Sequence, residues 1–489
     1  MLRNLLIELD LGANLIKKPR SCIKNDVKFC KTVYFMMLFC DKFCNFGAKY
    51  YQKEDMKQLQ WAAFAAILIM IGMNVSCTRN MFDVDKYNAL VDSVSPVDTV
   101  DEHHTWTLTT SKTLQIQAPD TGDVQKVKIL TANPWVTGNA EVVAEAWASA
   151  GEQFQMQITY PNIMTKLYAA LVDDEGRYSV VQFDPESESL VTFSDLIVDH
   201  EKLSYEPQPQ QFTYCFEEEY PTPGDYDYND VVLRVSQKRT GEREIRFTVQ
   251  LAAVGATEQI AAAIRLAGFS YNEIENVMTV DSLSFNRTNG KDFPNQMKTV
   301  IPMDKTWFYD SFWSSGMNGE AVINLFGDAH WATGDLLEEN FGMMTRKKYN
   351  VSNTASADKP QFVPRTLTYI VTFRSSANLN NLSMDQVDPF ILRMYNGGIF
   401  EVHQYAFQNS PVFYDYSPST IKNLPWALCV PKKDFHWPLD GKNIGFIMKE
   451  VHTYGAYSTT GHSFGEWAMD RTRALDWYNY PNGSLVFLF

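Results

Sequence analysis

Residues Gly224–Val235 read GDYDYNDVVLRV and set Asp225, Asp227, Asn229 and Asp230 within six positions, just ahead of an apolar run. Oxygen side chains at alternate positions of a tight turn can converge on one centre, and hard Ca²⁺ takes six to eight such oxygens. Glu217 and Glu218 lie upstream and complete a shell if the intervening YPTPG, with Tyr220 and Pro221 favouring a rigid return, folds back. The loop is not an EF-hand: Asp230 and Ser236 stand where that loop requires Gly and Glu. Asp225 and Asp227 are also too close in sequence to fix the opposed pair that glycoside hydrolysis needs. A solvated acidic turn is the plain alternative to a metal loop, and the residues alone leave both open.

Other residue groups compete for chemistry. GHSFG, Gly461–Gly465, has the G-x-S-x-G pattern of a nucleophile elbow, but no His follows His462 to act as base and the surrounding β pattern lacks the alternating helices of that fold, which argues against an esterase. Neighbouring His103 and His104 would face opposite ways on a strand, which favours solvent over a shared metal. His403, His436 and His452 stand near aromatic residues and read as packing. Trp426, Trp437, Trp467, Trp477 and Tyr478 offer either a sugar-stacking platform or a core, and core is the reading preferred here. Beyond Cys77 the only thiols are Cys215 and Cys429, a disulfide or two buried thiols; no zinc spacing of Cys and His occurs there.

The elements that must position these residues read as strands. Alternating apolar and polar residues recur at Thr113–Pro119, Lys126–Leu130, Gln153–Pro161, Arg243–Leu251 and Thr366–Phe373. Lys166–Phe183 is a hairpin turning at Asp173–Gly176, and Asp230–Val235 with Arg243–Leu251 forms a longer one. The alanine-rich AEVVAEAWASA reads as a helical interruption, and the final SLVFLF as a buried closing strand. The chain is therefore mainly β, an N-terminal β-sandwich over 106–205 followed, past the linker YEPQPQQ, by a larger β-rich domain over 211–489 that is jelly-roll-like or a sandwich.

At 489 residues and a net charge of −15 the chain can bury more than one core and lacks the basic clusters that nucleic acid requires. Met56–Cys77 has a basic head at Lys57, an apolar run of 13 residues from Trp61 to Met73 and a small-residue cleavage site, the order of a secretory signal. Residues 56–76 are the expected signal peptide and Met56 the expected start, leaving 1–55 as an upstream extension. Residues 77–105 form a polar tether.

Two resemblances sharpen this. The signal ending at Cys77 resembles a bacterial lipobox, which implies lipidation of Cys77 and a membrane partner; Asn74 departs from the usual Leu. FEEEYPTPGDYDYNDVVLRV, followed in order by AVINLFGDAH, DPFIL, EVH, NLPWALCVP and EWA…DWY, resembles the signature of LruC-domain lipoproteins of Gram-negative bacteria. That resemblance implies a noncatalytic, envelope-associated module, placed at the outer membrane, with a structural Ca²⁺ on Asp225, Asp227, Asn229 and Asp230, joined by Glu217 and Glu218. Its expected role is adhesion or binding of a glycan or protein ligand. A polysaccharide hydrolase with dispersed carboxylates and a subunit of a fimbria-like assembly are the alternatives.

Overall fold

The computed structural model describes residues 95–97, 99–120, 125–193, 202–219, 224–279, 287–288, 291–292, 320–333, 348–354, 364–395, 398–407, 424–445 and 461–489. The chain divides into Met1–Tyr87 and Asn88–Phe489, and every described residue belongs to the second unit. The upstream extension, the signal peptide, Cys77, most of the tether, Tyr220–Pro223 and His452 lie outside the described residues.

The protein is mainly β. Its first strands are β1 (Thr109–Gln117), β2 (Gln125–Leu130), β3 (Glu141–Ala148), β4 (Gln153–Pro161), β5 (Leu167–Val172), β6 (Tyr178–Phe183), β7 (Leu190–Thr192) and β8 (Gln208–Pro209). They form a three-stranded sheet, β4-β1-β7, and a five-stranded one, β6-β5-β2-β3-β8. Leu114, Ile116, Met156 and Ile158 from the first meet Val127, Ile129, Ala146 and Leu167 from the second in one buried core, so this is the expected sandwich. The β5–β6 hairpin turns at Asp173–Gly176 as the sequence predicts.

Two expectations change here. AEVVAEAWASA is strand β3, not helix. Alanine favours helix by intrinsic propensity, but Ala146 and Ala148 enter the core while Glu145 and Trp147 stay outside it, and this period of two prevails over propensity. YEPQPQQ is not a free linker: β8 pairs in parallel with β3, and the Tyr205 hydroxyl donates to the Thr137 carbonyl at 2.6 Å.

The second half adds β9 (Gln211–Phe216), β10 (Val231–Gly241), β11 (Glu244–Ala253), β12 (Ile260–Ser270), β13 (Ile274–Thr279), β14 (Arg287–Thr288), β15 (Lys291–Asp292), β16 (Glu320–Phe326), helix α1 (Ala329–Ala332), β17 (Arg365–Phe373), β18 (Val387–Tyr395), β19 (Gly398–Val402), β20 (Ala427–Val430) and helix α2 (Phe464–Met469). A six-stranded sheet, β13-β17-β11-β10-β9-β20, and a four-stranded sheet, β16-β12-β18-β19, are antiparallel throughout. Leu233, Phe247, Val249 and Tyr369 of the larger sheet share a core with Ile264, Val322, Phe390 and Leu392 of the smaller, which makes a second sandwich.

A strand alternates its faces, and the other face of the larger sheet is buried too. Cys215, Val232, Ala252 and Leu428 there meet Trp437, Phe464, Trp467 and Trp477, an aromatic layer supplied by the C-terminal segments. Trp106 and Val97 join this layer, and Asp101 donates its N–H to the Ala468 carbonyl at 2.9 Å, so the described end of the tether is packed rather than loose. The chain end also departs from expectation. Val486 and Phe487 are buried and Val486 forms a single bridge with Pro438, but no closing strand forms, and Phe489 is 59% exposed.

Candidate metal centre

The acidic loop is closed by strand register. Phe216, the last residue of β9, pairs with Val231, the first of β10, so Glu217 and Asp230 leave the sheet side by side. Glu217 N–H still reaches the Trp426 carbonyl at 2.9 Å, extending the β9–β20 ladder by one bond. Glu218 N–H donates to Asp230 Oδ2 at 2.8 Å and pins the neck of the loop.

Within the loop Tyr226 and Tyr228 adopt left-handed backbone, with φ of 57° and 52°, which aromatic residues seldom do. Both rings are buried in the aromatic layer. Tyr228 donates its hydroxyl to the Pro425 carbonyl at 2.9 Å, and the Tyr226 carbonyl accepts from Ile444 N–H at 2.9 Å.

One carboxylate oxygen each from Glu217, Asp225 and Asp227 lies within 4.8 Å of the others. Oxygens sharing a Ca²⁺ at 2.3–2.6 Å stand no more than about 5 Å apart, so this spacing suits such an ion. Asp225 is open to solvent, whereas Glu217 and Asp227 are each 1% exposed. Glu217 Oε1 accepts from Tyr228 N–H at 2.6 Å, but its buried Oε2 has no hydrogen-bond partner. Asp227 is oriented by Asn229 N–H on Oδ1 (3.1 Å) and Gly441 N–H on Oδ2 (2.7 Å). Asn229 gives its amide to the Pro438 carbonyl at 3.0 Å and keeps a buried, unpartnered Oδ1.

Burial pushes the carboxyls of Glu217, Asp227 and Asp230 well above the usual range, and neighbouring carboxylates push them further. Burial, then the Glu219 carboxylate, raises Glu218 to about 7. The nearby cations are engaged elsewhere: Arg393 bonds the Glu218 carbonyl and Glu258, and Lys348 bonds Asp440 at 2.6 Å. Among the described residues no cationic side chain forms an ion pair with Glu217, Asp225 or Asp227, and a largely buried group of acids with unpartnered oxygens beside it fits a hard cation.

Two glycines make the space. A Cβ on Gly224 would lie 2.1 Å from Glu217 Oε2, and one on Gly255 would lie 1.9 Å from Asn229 Oδ1. The structure thus gathers Glu217, Asp225 and Asp227, while Asp230 and Glu218 brace each other at the neck. Gly255, Pro438 and Gly441 are the participants that sequence reading missed; the Asp440-Gly441 turn pair, with Gly441 at φ 66°, was the one available signal.

The competing sites resolve as structure. Ser463 caps α2, accepting from Glu466 N–H, with Glu466 returning the bond, so the G-x-S-x-G pattern is a capping box. The five C-terminal aromatics, Trp426, Trp437, Trp467, Trp477 and Tyr478, are all buried. His103 is exposed, but His104 is not: it is 4% exposed, stacks on Trp106 at 3.9 Å and bonds the Trp467 carbonyl at 2.9 Å. The strand argument fails there because residues 103–104 are turn and coil, where neighbouring side chains need not oppose. His403 is buried between Asp388 (2.7 Å) and Glu401 (3.1 Å). Cys215 and Cys429 are free thiols. Leu428, not Cys429, pairs with Cys215, so the two thiols leave adjacent strands on opposite faces.

Residues 243–468 match a family model described as a domain of unknown function, DUF4842. No curated protein matches the chain. Among solved structures, a Bacteroides ovatus protein provisionally named a lipoprotein is 12% identical, over 74% of this chain and 99% of that one, with a TM-score of 0.42. The full-length major pilin SpaD of Corynebacterium diphtheriae is 9% identical over 60% of this chain and 63% of its own, at a TM-score of 0.13. Likenesses this distant bear on neither fold nor role.

Proposed function

We propose that the protein is an envelope-anchored, noncatalytic binding module, tethered by a lipidated Cys77, in which Ca²⁺ fixes the 217–230 loop. The observation that carries the metal is the convergence of Glu217, Asp225 and Asp227, together with a buried Glu217 oxygen that has no hydrogen-bond partner. The donors are all hard oxygens, with no thiol or imidazole among them, which suits Ca²⁺ above zinc. The anchor and the envelope location rest on the lipobox-like Met56–Cys77 segment and on the LruC-like order of motifs.

Thermal unfolding of residues 78–489, which hold the whole of the Asn88–Phe489 unit, tests the metal. Extracellular modules bind Ca²⁺ with dissociation constants on the order of 10⁻⁴ M, so about 10 mM Ca²⁺ adds about 2.7 kcal/mol by mass action. For a cooperative unit of roughly 400 residues that is a midpoint rise of about 3 °C over the chelated protein. Asp225→Ala and Asp227→Ala lose the rise. An unchanged midpoint in the wild type would reduce the loop to an acidic turn.

A further inference from the structure

Strain in the described backbone is gathered in one place. All five described residues other than glycine with left-handed φ lie at the aromatic layer: Trp106, Tyr226 and Tyr228 within it, Ala474 packed against it, and Asn350 with its carbonyl on Trp437 Nε1 at 2.9 Å. Such backbone persists only where its surroundings over-determine it, and it clusters at clamps and switch regions. Tyr226 and Tyr228 belong to the acidic loop. Trp106 belongs to a segment that precedes the first sandwich in the chain.

Residues 99–108 run directly into β1, yet they pack on the second half. Asp101 N–H donates to the Ala468 carbonyl at 2.9 Å, and the Asp101 carboxylate accepts from the Arg471 N–H and guanidinium, each at 3.3 Å. Trp106 N–H donates to His104 Nδ1 at 2.9 Å, so Nε2 carries the proton and donates to the Trp467 carbonyl, also at 2.9 Å. Trp106 and Leu108 are buried in the layer. The segment is a strap across the C-terminal segments, and the first sandwich is inserted between this strap and the rest of the second half.

A short run of chain joins the strap to the loop. Trp106 stacks on Phe464, with ring centroids 6.2 Å apart and planes 18° from parallel. Phe464 lies against Gly445, where a Cβ would fall 2.4 Å from Cδ1 of the ring. Next to it, Ile444 donates its N–H to the Tyr226 carbonyl at 2.9 Å, and Gly441 N–H donates to Asp227 Oδ2 at 2.7 Å. Residues 441–445 therefore touch a candidate ligand at one end and the strap's ring neighbour at the other. A ring packed on bare backbone passes a displacement on, because a dense interior has little room to absorb it.

We propose that residues 99–108 are a latch whose seating on the aromatic layer and occupation of the 217–230 loop by Ca²⁺ favour each other. The inference rests on the Ca²⁺ reading and extends it from fixing a loop to holding the segment that enters the first sandwich. Release of the strap would add ten residues, up to about 35 Å, between the tether and the second half.

Hydrogen exchange of residues 78–489, in about 10 mM Ca²⁺ and in chelator, tests the coupling. Ca²⁺ is expected to slow exchange at the Asp101, His104 and Trp106 amides about fivefold or more, the lower end of ordinary coupling between sites, along with exchange at Tyr226–Asn229. Coupling is reciprocal, so Trp106→Leu, which withdraws the ring from Phe464, is expected to weaken Ca²⁺ binding in calorimetric titration about fivefold or more. Phe183→Leu removes a comparably buried ring from the core of the first sandwich and should leave that affinity unchanged. The exchange comparison needs only the wild-type protein, so it decides the matter even where Trp106→Leu does not fold. Protection that rises in the loop but not at residues 101–106, or a Trp106→Leu affinity equal to that of the wild type, would overturn the coupling and leave Ca²⁺ at the loop. Equal weakening by Phe183→Leu would reduce the effect to lost stability and overturn it as well. A wild-type protein that bound no Ca²⁺ would overturn the coupling and the metal reading together.

Discussion

Substituting Gly224 by Ala should separate metal binding from folding at the acidic loop. Its backbone lies outside the left-handed region, so Ala adopts it without strain. The added Cβ falls 2.1 Å from Glu217 Oε2, and a Cβ essentially never has a neighbour closer than 3.0 Å, so that oxygen must retreat by about 1 Å. The other contacts of this Cβ are ordinary ones, at 3.4 Å to Glu217 Cδ and 3.9 Å to Glu219 Cβ. A ligand displaced by about 1 Å from a Ca²⁺ that requires 2.3–2.6 Å is lost. The chelated protein should change by no more than about 1 kcal/mol, because only the end of one flexible side chain yields and Gly→Ala itself stiffens the unfolded chain. The Ca²⁺-dependent gain of about 2.7 kcal/mol should disappear.

Gly255→Ala is the contrasting control. Its Cβ meets Asn229 Oδ1 at 1.9 Å and also the Asn229 backbone, at 2.7 Å to the carbonyl oxygen and 3.0 Å to the carbon. That backbone is held by Gly255 N–H itself at 2.8 Å and cannot swing away. The variant should lose about 1–3 kcal/mol with and without Ca²⁺, read as lowered midpoints in both buffers. A Gly224→Ala protein that kept the full Ca²⁺ shift would mean that Glu217 Oε2 holds no ion, and the reasoning about the site would fail.

Two further outcomes follow from buried groups outside the loop. Burial lowers the pKa of His104 to about 4, below its unfolded value of 6.5, so its contribution is complete above pH 6.5 and fades as pH falls toward 4. That is about 3 kcal/mol, and the stability gap between wild type and His104→Gln in urea titrations should shrink by about that much from pH 7 to pH 4. Ser463→Ala should cost about 1 kcal/mol through the lost cap of α2, with no change in hydrolysis of nitrophenyl esters; ester turnover that depended on Ser463 would revive the nucleophile.

Period-two alternation exposed β1, β2, β4, β11 and β17 in the sequence, because along each of them residues that enter a sandwich core alternate with residues that do not, while β10 was legible as the apolar arm of a hairpin. It failed at β3, where small residues fill the core and imitate a helix, and at β8, where two residues beside a proline carry no period. The C-terminal aromatic residues were legible as core, but the sheet face they cover was not, for another reason. Trp437, Phe464, Trp467 and Trp477 follow no regular element long enough to show a period, and most of their burial comes from the opposite face of a distant sheet. At the candidate site the acids were legible because they are local. Gly255, Pro438 and Gly441 were not, since Gly441 meets Asp227 across 214 positions and Pro438 meets Asn229 across 209.

Those distant contacts bear on what a cation would do. The loop is fastened to β20 through Trp426 and Pro425, to the 438–444 segment through Pro438, Gly441 and Ile444, and to the end of β11 through Gly255. It therefore sits where the six-stranded sheet meets the aromatic layer. Left-handed Tyr226 and Tyr228 cost on the order of 1–3 kcal/mol each, and buried carboxylates without a counter-charge cost more. Both costs fall on the same few residues, and both diminish if an ion neutralises the acids and fixes the turn. Removing Ca²⁺ should then loosen the junction of sheet and aromatic layer before it disturbs the first sandwich. Amide exchange in Tyr226–Asn229 and Pro438–Ile444 is the place to read that loosening.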